Sequence, residues 1–291
     1  MVDVTYKRKP KWLTVPLPKG EEFRQIQQIT ANRGLPTVCE EAKCPNLGEC
    51  WSSGTATFML LGETCTRACR FCSVQTQARP APPDPEEPQK IALSAKEMGL
   101  KYLVLTTVNR DELPDQGVGH MLNVLEQVKR LNPQLKIELL MPDFCGDFGL
   151  VDRLLDSPAL VLGHNLETVS RLSSKVRDPM AGYQQSLDIL RYIKDKRPEQ
   201  ATKSSLLVGL GETVEELFEA MADLRTAKVD FLTVGQYLQP TKSKLAVEEY
   251  VHPDVFKKIE LAGKKMGFQY VAAGPLVRSS YKAFEFYMSR V

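Results

Sequence analysis

No apolar run in this sequence approaches the roughly 20 residues that a membrane-spanning helix needs, and the N-terminus lacks the apolar core of a secretion signal. These absences argue against a membrane-embedded or secreted protein. A soluble, cytoplasmic chain is the expectation, and import into an organelle stays compatible with it. An excess of either charge is missing too: 38 Lys and Arg stand against 36 Asp and Glu in 291 residues. A protein built mainly to grip nucleic acid or an anionic membrane is therefore not expected, and the basic run "YKRKPKW" reads as a solvated tail. Internal repeats are absent, and the one biased stretch is the proline-rich loop "ARPAPPDPEEP" (78–88). With 43% apolar residues, the chain has ample material for the core of one large domain or two small ones.

Cysteine, by contrast, is plentiful and unevenly placed. Six of the seven lie between residues 39 and 72 (Cys39, Cys44, Cys50, Cys65, Cys69 and Cys72), and a reducing cytosol would leave them as thiols. Such a concentration points to metal. Cys145, alone in "MPDFCGDFG", reads as a small buried hydrophobe. The stretch "CTRACRFC" spaces Cys65, Cys69 and Cys72 as C-x3-C-x2-C. A structural zinc site closes four protein ligands into a tetrahedron, and an iron–sulfur cubane takes one cysteine per iron; three cysteines leave one position open to a substrate or cofactor. The competing reading is a zinc-dependent Cys-rich binding protein, its site completed by a histidine or by Cys39, Cys44 or Cys50.

From residue 57 onward, short apolar runs alternate with helical patterns. Strands are predicted at "TFMLLG" (57–62), "YLVLTT" (102–107), "KIELLM" (136–141), "ALVLG" (159–163), "KSSLLVG" (203–209) and "FLTVGQ" (231–236). Between them, stretches such as "GHMLNVLEQVKRLN" and "VEELFEAMADLRTAK" repeat apolar residues at three and four, as amphipathic helices do. Six strands with intervening helices predict an α/β protein with a parallel sheet, either open or a partial barrel. The cysteine loop leaves the C-terminal end of the first strand, where parallel α/β folds place ligands.

With Phe71 before its last cysteine, "CTRACRFC" resembles the cluster motif of radical S-adenosylmethionine enzymes. The second triplet, "CEEAKCPNLGECW", is too widely spaced for one helical face and reads as a loop around a second cluster. It continues without a gap into the first strand, and the whole stretch resembles lipoyl synthases. So do "TTVNRDEL" (106–113), "GHNLETV" (163–169), "KSSLLVGLGET" (203–213), "TVGQYLQPT" (233–241) and "AAGPLVRSSYKA" (272–283). The resemblance implies a partial (β/α)6 TIM-type barrel over residues 57–245. It also implies an N-terminal extension (1–56) carrying the auxiliary-cluster cysteines and a C-terminal extension (246–291) carrying "RSSYKA". It further implies that Cys65, Cys69 and Cys72 bind a [4Fe–4S] cluster whose fourth iron is chelated by S-adenosylmethionine. An auxiliary [4Fe–4S] cluster on Cys39, Cys44, Cys50 and Ser279, chosen over Ser280, would donate sulfur to C6 and C8 of a protein-bound octanoyl-lysine. The implied partners are an octanoylated lipoyl carrier domain or protein and a low-potential electron donor such as ferredoxin or flavodoxin, with no nucleic acid and no membrane. The nearest enzyme alternative, a radical methylthiotransferase acting on RNA or protein, would be expected to bring a nucleic-acid-binding module, for which this chain has neither the length nor a strong basic stretch.

The chemistry explains why a radical is needed. No side-chain base takes a proton from an unactivated carbon, so the hydrogen must leave as an atom, and the cofactor supplies that step. Thr107, Asn109, Arg110, Asn165, Glu167 and Lys203 are the polar strand-end candidates for holding the methionyl and ribose parts. Arg177 and Arg278 offer forked donors to a carboxylate or sulfide. Phe71 is an apolar wall, His164 a hydrogen-bonded structural residue, and Gly209 and Gly211 a tight turn that lets backbone approach the nucleoside.

Overall fold

The computed structural model describes residues 8–14, 21–35, 37, 46–52, 55–281 and 283. Cys39 and Cys44 lie outside the described residues. In chain order the strands are β1 (Thr55–Leu60), the short β2 (Thr64–Cys65) and β3 (Gln75–Thr76), β4 (Tyr102–Thr107), β5 (Lys136–Leu140), β6 (Val161–Gly163), β7 (Ala201–Val208), β8 (Phe231–Gln236) and β9 (Tyr270–Gly274). Seven of them form one sheet in the order β1-β4-β5-β6-β7-β8-β9, every pairing parallel, while β2 and β3 pair separately. β1 and β9 are the edges of a partial barrel. Both β1 and β8 are buried at every position, the pattern expected of parallel strands covered on both faces.

The helices that return the chain are α3 (Glu87–Glu97), α4 (Val118–Leu131), α5 (Phe148–Leu155), α7 (Tyr183–Lys196), α8 (Val214–Thr226) and α9 (Pro253–Lys265). The one-turn α6 (Ser173–Val176) precedes α7, and α1 (Glu21–Arg33) and α2 (Leu47–Ser52) precede the sheet. α4 buries Val118, Met121, Val124, Leu125 and Val128, one apolar stripe at helical spacing. Helix α8 starts on a capping box, in which the Thr213 hydroxyl accepts from the Glu216 N–H and the Glu216 carboxylate from the Thr213 N–H.

Two features differ from the expectation. A seventh strand, β9, joins the sheet beside β8 from within the segment read as a C-terminal extension. Its sequence, "YVAAG", is short and rich in small residues, and carries little of the β-branched signal. The first strand also begins at Thr55, and Thr37 bridges antiparallel to its Phe58, so the chain before residue 57 already touches the sheet.

Candidate functional site

The loop between β2 and β3 is closed at its base by the Thr64–Gln75 and Cys65–Thr76 pairings, and it turns its three thiols into one cavity of about 290 Å³. Each sulfur accepts a backbone N–H. Cys65 Sγ receives Asn109 N–H at 3.3 Å and Arg67 N–H at 3.4 Å; Cys69 Sγ receives Asp178 N–H at 3.4 Å; Cys72 Sγ receives the N–H of Val74. Burial nonetheless pushes Cys69 up to about 11 and raises Cys72, despite the N–H groups that favour their thiolates. Binding as thiolates therefore requires positive charge from a metal, which is how metal binding couples to proton release.

The loop is fastened by Arg67, whose side chain forks between Asp111 at 2.8 Å and Asp143 at 2.7 Å. Burial works against the guanidinium charge, yet the two carboxylates outweigh it and hold the Arg67 pKa above its ordinary value. Arg67 Nη2 also lies 3.2 Å from Cys145 Sγ. Cys145 is thus not the buried hydrophobe expected from its isolation: it is exposed, with φ +51°, on the turn that carries Asp143 and its contact with Arg67.

Thr107, Asn109, Asn165, Glu167 and Arg177 all line the cavity. Glu167 sits at φ +68°, and burial raises its carboxyl above the ordinary range although the Asn165 amide donates to it at 2.9 Å. Arg177 is buried and donates to the Ser186 hydroxyl at 2.8 Å. Phe71 lines the cavity and also packs on the core. His164 is a structural residue: Nδ1 meets the Met141 carbonyl at 3.0 Å and Nε2 the Ser186 hydroxyl at 2.9 Å.

Three expectations do not agree with the geometry. Lys203 is not among the lining residues; its ammonium is 2.8 Å from Glu138, a carboxylate that also accepts from the Tyr102 hydroxyl at 3.0 Å. Arg110 is spent on Glu112 at 2.7 Å and on the carbonyls of Leu61 and Ala81, both at 2.9 Å. Gly209 and Gly211 do take left-handed φ, of +93° and +104°, but the close approach at Gly209 is to protein: a Cβ there would meet Gln236 Nε2 at 2.2 Å and the Glu249 carbonyl at 2.4 Å.

The segment after β9 reaches this cavity and also meets the chain before β1. Gly235 at the end of β8 makes room for that segment, since a Cβ there would lie 2.0 Å from the Val277 carbonyl oxygen. Ser279 lines the cavity and Ser280 is not among the lining residues; Arg278 donates to the carbonyls of Gln236 and Val277 at 3.3 and 2.8 Å. The Asn46 amide donates to the Leu276 carbonyl at 2.5 Å, and the Tyr281 hydroxyl meets the Glu49 carboxylate at 3.3 Å. These bonds tie α2, and with it Cys50, to the segment that carries Ser279. Sequence pattern gave no signal for this junction, because its hydrogen bonds span some 230 residues.

Cys65, Cys69 and Cys72 line one cavity, a donor set that a cubane can use with one thiolate on each of three irons and the fourth left open. Asn109 lines the cavity, and its side-chain oxygen is buried without a hydrogen-bond partner among the described residues.

The comparisons agree with this geometry. The Radical SAM superfamily is matched over residues 59–224. A lipoyl synthase of Halorhodospira halophila is 53% identical over 277 residues, covering 95% of this chain and 83% of that protein. A chloroplastic lipoyl synthase of Ricinus communis is 51% identical over 286 residues, covering 97% and 79%. In fold, the crystal structure of methylornithine synthase superposes with a TM-score of 0.56 at 12% identity, covering 91% of this chain and 83% of that one. The chain belongs to the lipoyl synthase family of radical S-adenosylmethionine enzymes.

Proposed function

We propose that Cys65, Cys69 and Cys72 hold the [4Fe–4S] cluster that binds S-adenosylmethionine, and that Cys50, with Cys39, Cys44 and Ser279, holds a second [4Fe–4S] cluster that is the sulfur source. The substrate is an octanoyl-lysine on a lipoyl carrier domain or protein, and sulfur enters at C6 and C8. The reading rests on one observation: three thiols from the start of the barrel and Ser279 from the far end of the chain line one cavity. When bound, the first cluster and S-adenosylmethionine supply hydrogen-atom abstraction from an unactivated carbon.

The protein's own residues bind, orient and exclude. The N–H groups on the three sulfurs favour their thiolate form and tune the reduction potential of what they hold. Glu167, a carboxyl on the cavity wall that burial holds above its ordinary range, is placed so that the cationic sulfonium or ammonium of the cofactor would favour its ionised form and pair with it. Asn109 lines the cavity through the strand-end loop whose backbone N–H meets Cys65, and Arg177 presents cationic charge beside Cys69. Phe71 and Met59 keep part of the wall apolar, which shields a reactive carbon radical from water. The electron comes from a low-potential protein donor such as ferredoxin or flavodoxin. Cytoplasm is the proposed compartment, although the plant relatives are named for the chloroplast and the mitochondrion.

Anaerobic purification with iron and sulfide analysis, followed by product analysis, tests this reading. Cys65→Ala, Cys69→Ala or Cys72→Ala is expected to abolish 5′-deoxyadenosine formation. Cys50→Ala is expected to retain it while losing the lipoyl product. Normal deoxyadenosine yield from Cys69→Ala, or lipoyl product from Cys50→Ala lacking the second cluster, overturns the assignment.

A further inference from the structure

Building on the reading of Cys65, Cys69 and Cys72 as the electron-accepting site, we propose that the surface around the Cys69 backbone is the docking face for an acidic, low-potential, one-electron carrier protein. Three chain segments meet there, and each brings positive charge. Arg70 of the cysteine loop donates its backbone N–H to the Val176 carbonyl at 2.9 Å and its guanidinium to the Lys175 carbonyl at 3.3 Å. From the segment after β8, Leu245 N–H donates to the Arg70 carbonyl at 3.1 Å and the Lys244 ammonium to the Cys69 carbonyl at 3.4 Å. The turn carrying Lys242 is closed by Lys244 N–H on the Thr241 carbonyl at 3.1 Å. It is braced by the Gln239 amide on the Lys244 carbonyl at 2.9 Å.

Arg70, Lys175 and Lys242 are exposed and Lys244 is half-buried. Among the described residues none of the four has a carboxylate in an ion pair with it. Asp178, the carboxylate on the same stretch, has its two oxygens occupied by the N–H groups of Ala68 and Met180, at 2.8 and 3.0 Å. A surface lysine is ordinarily solvated alone. Here the Lys244 ammonium reaches the Cys69 carbonyl, Arg70 follows Cys69 in the chain, and Lys175 and Lys242 lie on the segments bonded to them. Three exposed cations and Lys244, against the one carboxylate of Asp178, leave a net positive surface that an acidic partner complements.

Nearness to a cluster ligand, away from the cavity lining, favours the electron carrier, and docking of the octanoyl carrier here is an outcome that the test separates. The octanoyl chain must enter the cavity, and none of the four cations is among the residues that line it. An electron needs no opening. In the transfer, the reduced carrier loses one electron and the group held by the three cysteines gains it; no bond breaks and no proton moves.

The test uses cluster-loaded protein and flavodoxin, with flavin fluorescence anisotropy reporting binding of the oxidised form. The triple variant Arg70→Glu, Lys175→Glu, Lys242→Glu is expected to weaken binding about tenfold and to flatten its salt dependence. The triple Gln variant, a check on folding, is expected to weaken it about threefold. Lys101→Glu, at the opposite end of β4, is expected to bind as wild type. With dithionite as reductant, 5′-deoxyadenosine formation by the triple variants is expected to stay near wild type. Unchanged flavodoxin affinity in both triple variants overturns the proposal, and so does a loss of affinity confined to the octanoyl carrier. Failure of the wild type itself to form deoxyadenosine with dithionite overturns the cluster assignment instead.

Discussion

Arg67 Nη1 lies 2.7 Å from Asp143 Oδ1, with the two side chains 2% and 1% exposed. This pair fastens the cysteine loop to the chain beyond β5, while the Arg67–Asp111 pair and the Thr66 hydroxyl, 2.6 Å from Asp111, fasten it to the chain beyond β4. Removing the cation would strand two carboxylates in a poorly solvated place. Arg67→Met is expected to cost about 3–5 kcal/mol, as broken buried ion pairs do, and to lower iron content. Arg67→Lys should recover only part of the loss, because one ammonium cannot fork between two carboxylates. Denaturant unfolding and iron stoichiometry check both; Arg67→Met within about 1 kcal/mol of wild type would refute the fastening role.

Lys203 illustrates the same physics in a second buried ion pair. It pairs with Glu138 at 2.8 Å and is not among the residues that line the cavity, which favours a part in stability. Lys203→Met is expected to destabilise by about 3–5 kcal/mol, whereas adding Glu138→Leu should restore much of it by removing the stranded charge. Per folded, cluster-loaded molecule, affinity for S-adenosylmethionine should hold within about twofold in the double variant. A tenfold loss of affinity there would return Lys203 to the ligand site.

His164 sets an acid limit on the fold. Since a carbonyl has no proton to give, Nδ1–H donates to Met141 and Nε2 accepts from Ser186, the neutral tautomer. Burial penalises the imidazolium and, against the pull of Asp143, holds the pKa at about 4, below the ordinary 6.5. Between those values the unfolded chain carries a proton that the folded chain does not. Stability is therefore expected to fall as pH drops from about 6.5 to about 4, by up to about 3 kcal/mol in total. Urea midpoints measured across that window should show a steeper fall for wild type than for His164→Gln; identical slopes would remove His164 as the cause.

The strand-end logic of the fold was legible in the sequence, and the traffic between chain ends was not. β4 and β8 fall where "YLVLTT" and "FLTVGQ" predict them, because buried parallel strands are written as continuous apolar runs. Thr107, Asn109, Asn165 and Glu167 follow from that, being what comes next at the C-terminal ends. For Lys203 and Arg110 the pattern was ambiguous for a physical reason: a charged side chain near a strand end reads alike whether it meets a ligand or a partner at a sequence distance of 65 or 49 residues. Cys145 was misjudged because isolation in sequence says nothing about a left-handed turn. The placement of Ser279 depends on Gly235, whose missing side chain is the space that Val277 occupies, and no local pattern announces such a fit.

Ser279 and Ser280 are adjacent in sequence, and only the first of them lines the cavity. Ser279 lines the cavity beside the cysteines, and the hydrogen bonds from Asn46 and Tyr281 hold its segment against α2 and Cys50. A serine oxygen is a hard ligand on an iron that otherwise takes soft thiolate, so its bond is the easier one to release when sulfide leaves. Ser279→Ala is expected to keep 5′-deoxyadenosine formation and lose sulfur insertion, whereas Ser280→Ala keeps both. Ser279→Cys should hold iron at least as well as wild type while inserting sulfur more slowly, since a thiolate leaves iron less readily than an alkoxide here. Gly235→Ala should mimic Ser279→Ala without touching either serine, because the added Cβ meets the Val277 carbonyl at 2.0 Å and must displace the segment. Iron content, deoxyadenosine and lipoyl product are measured on the same samples. If Ser279→Ala inserts both sulfurs normally, or Ser280→Ala alone fails, the serine on the second cluster is not Ser279.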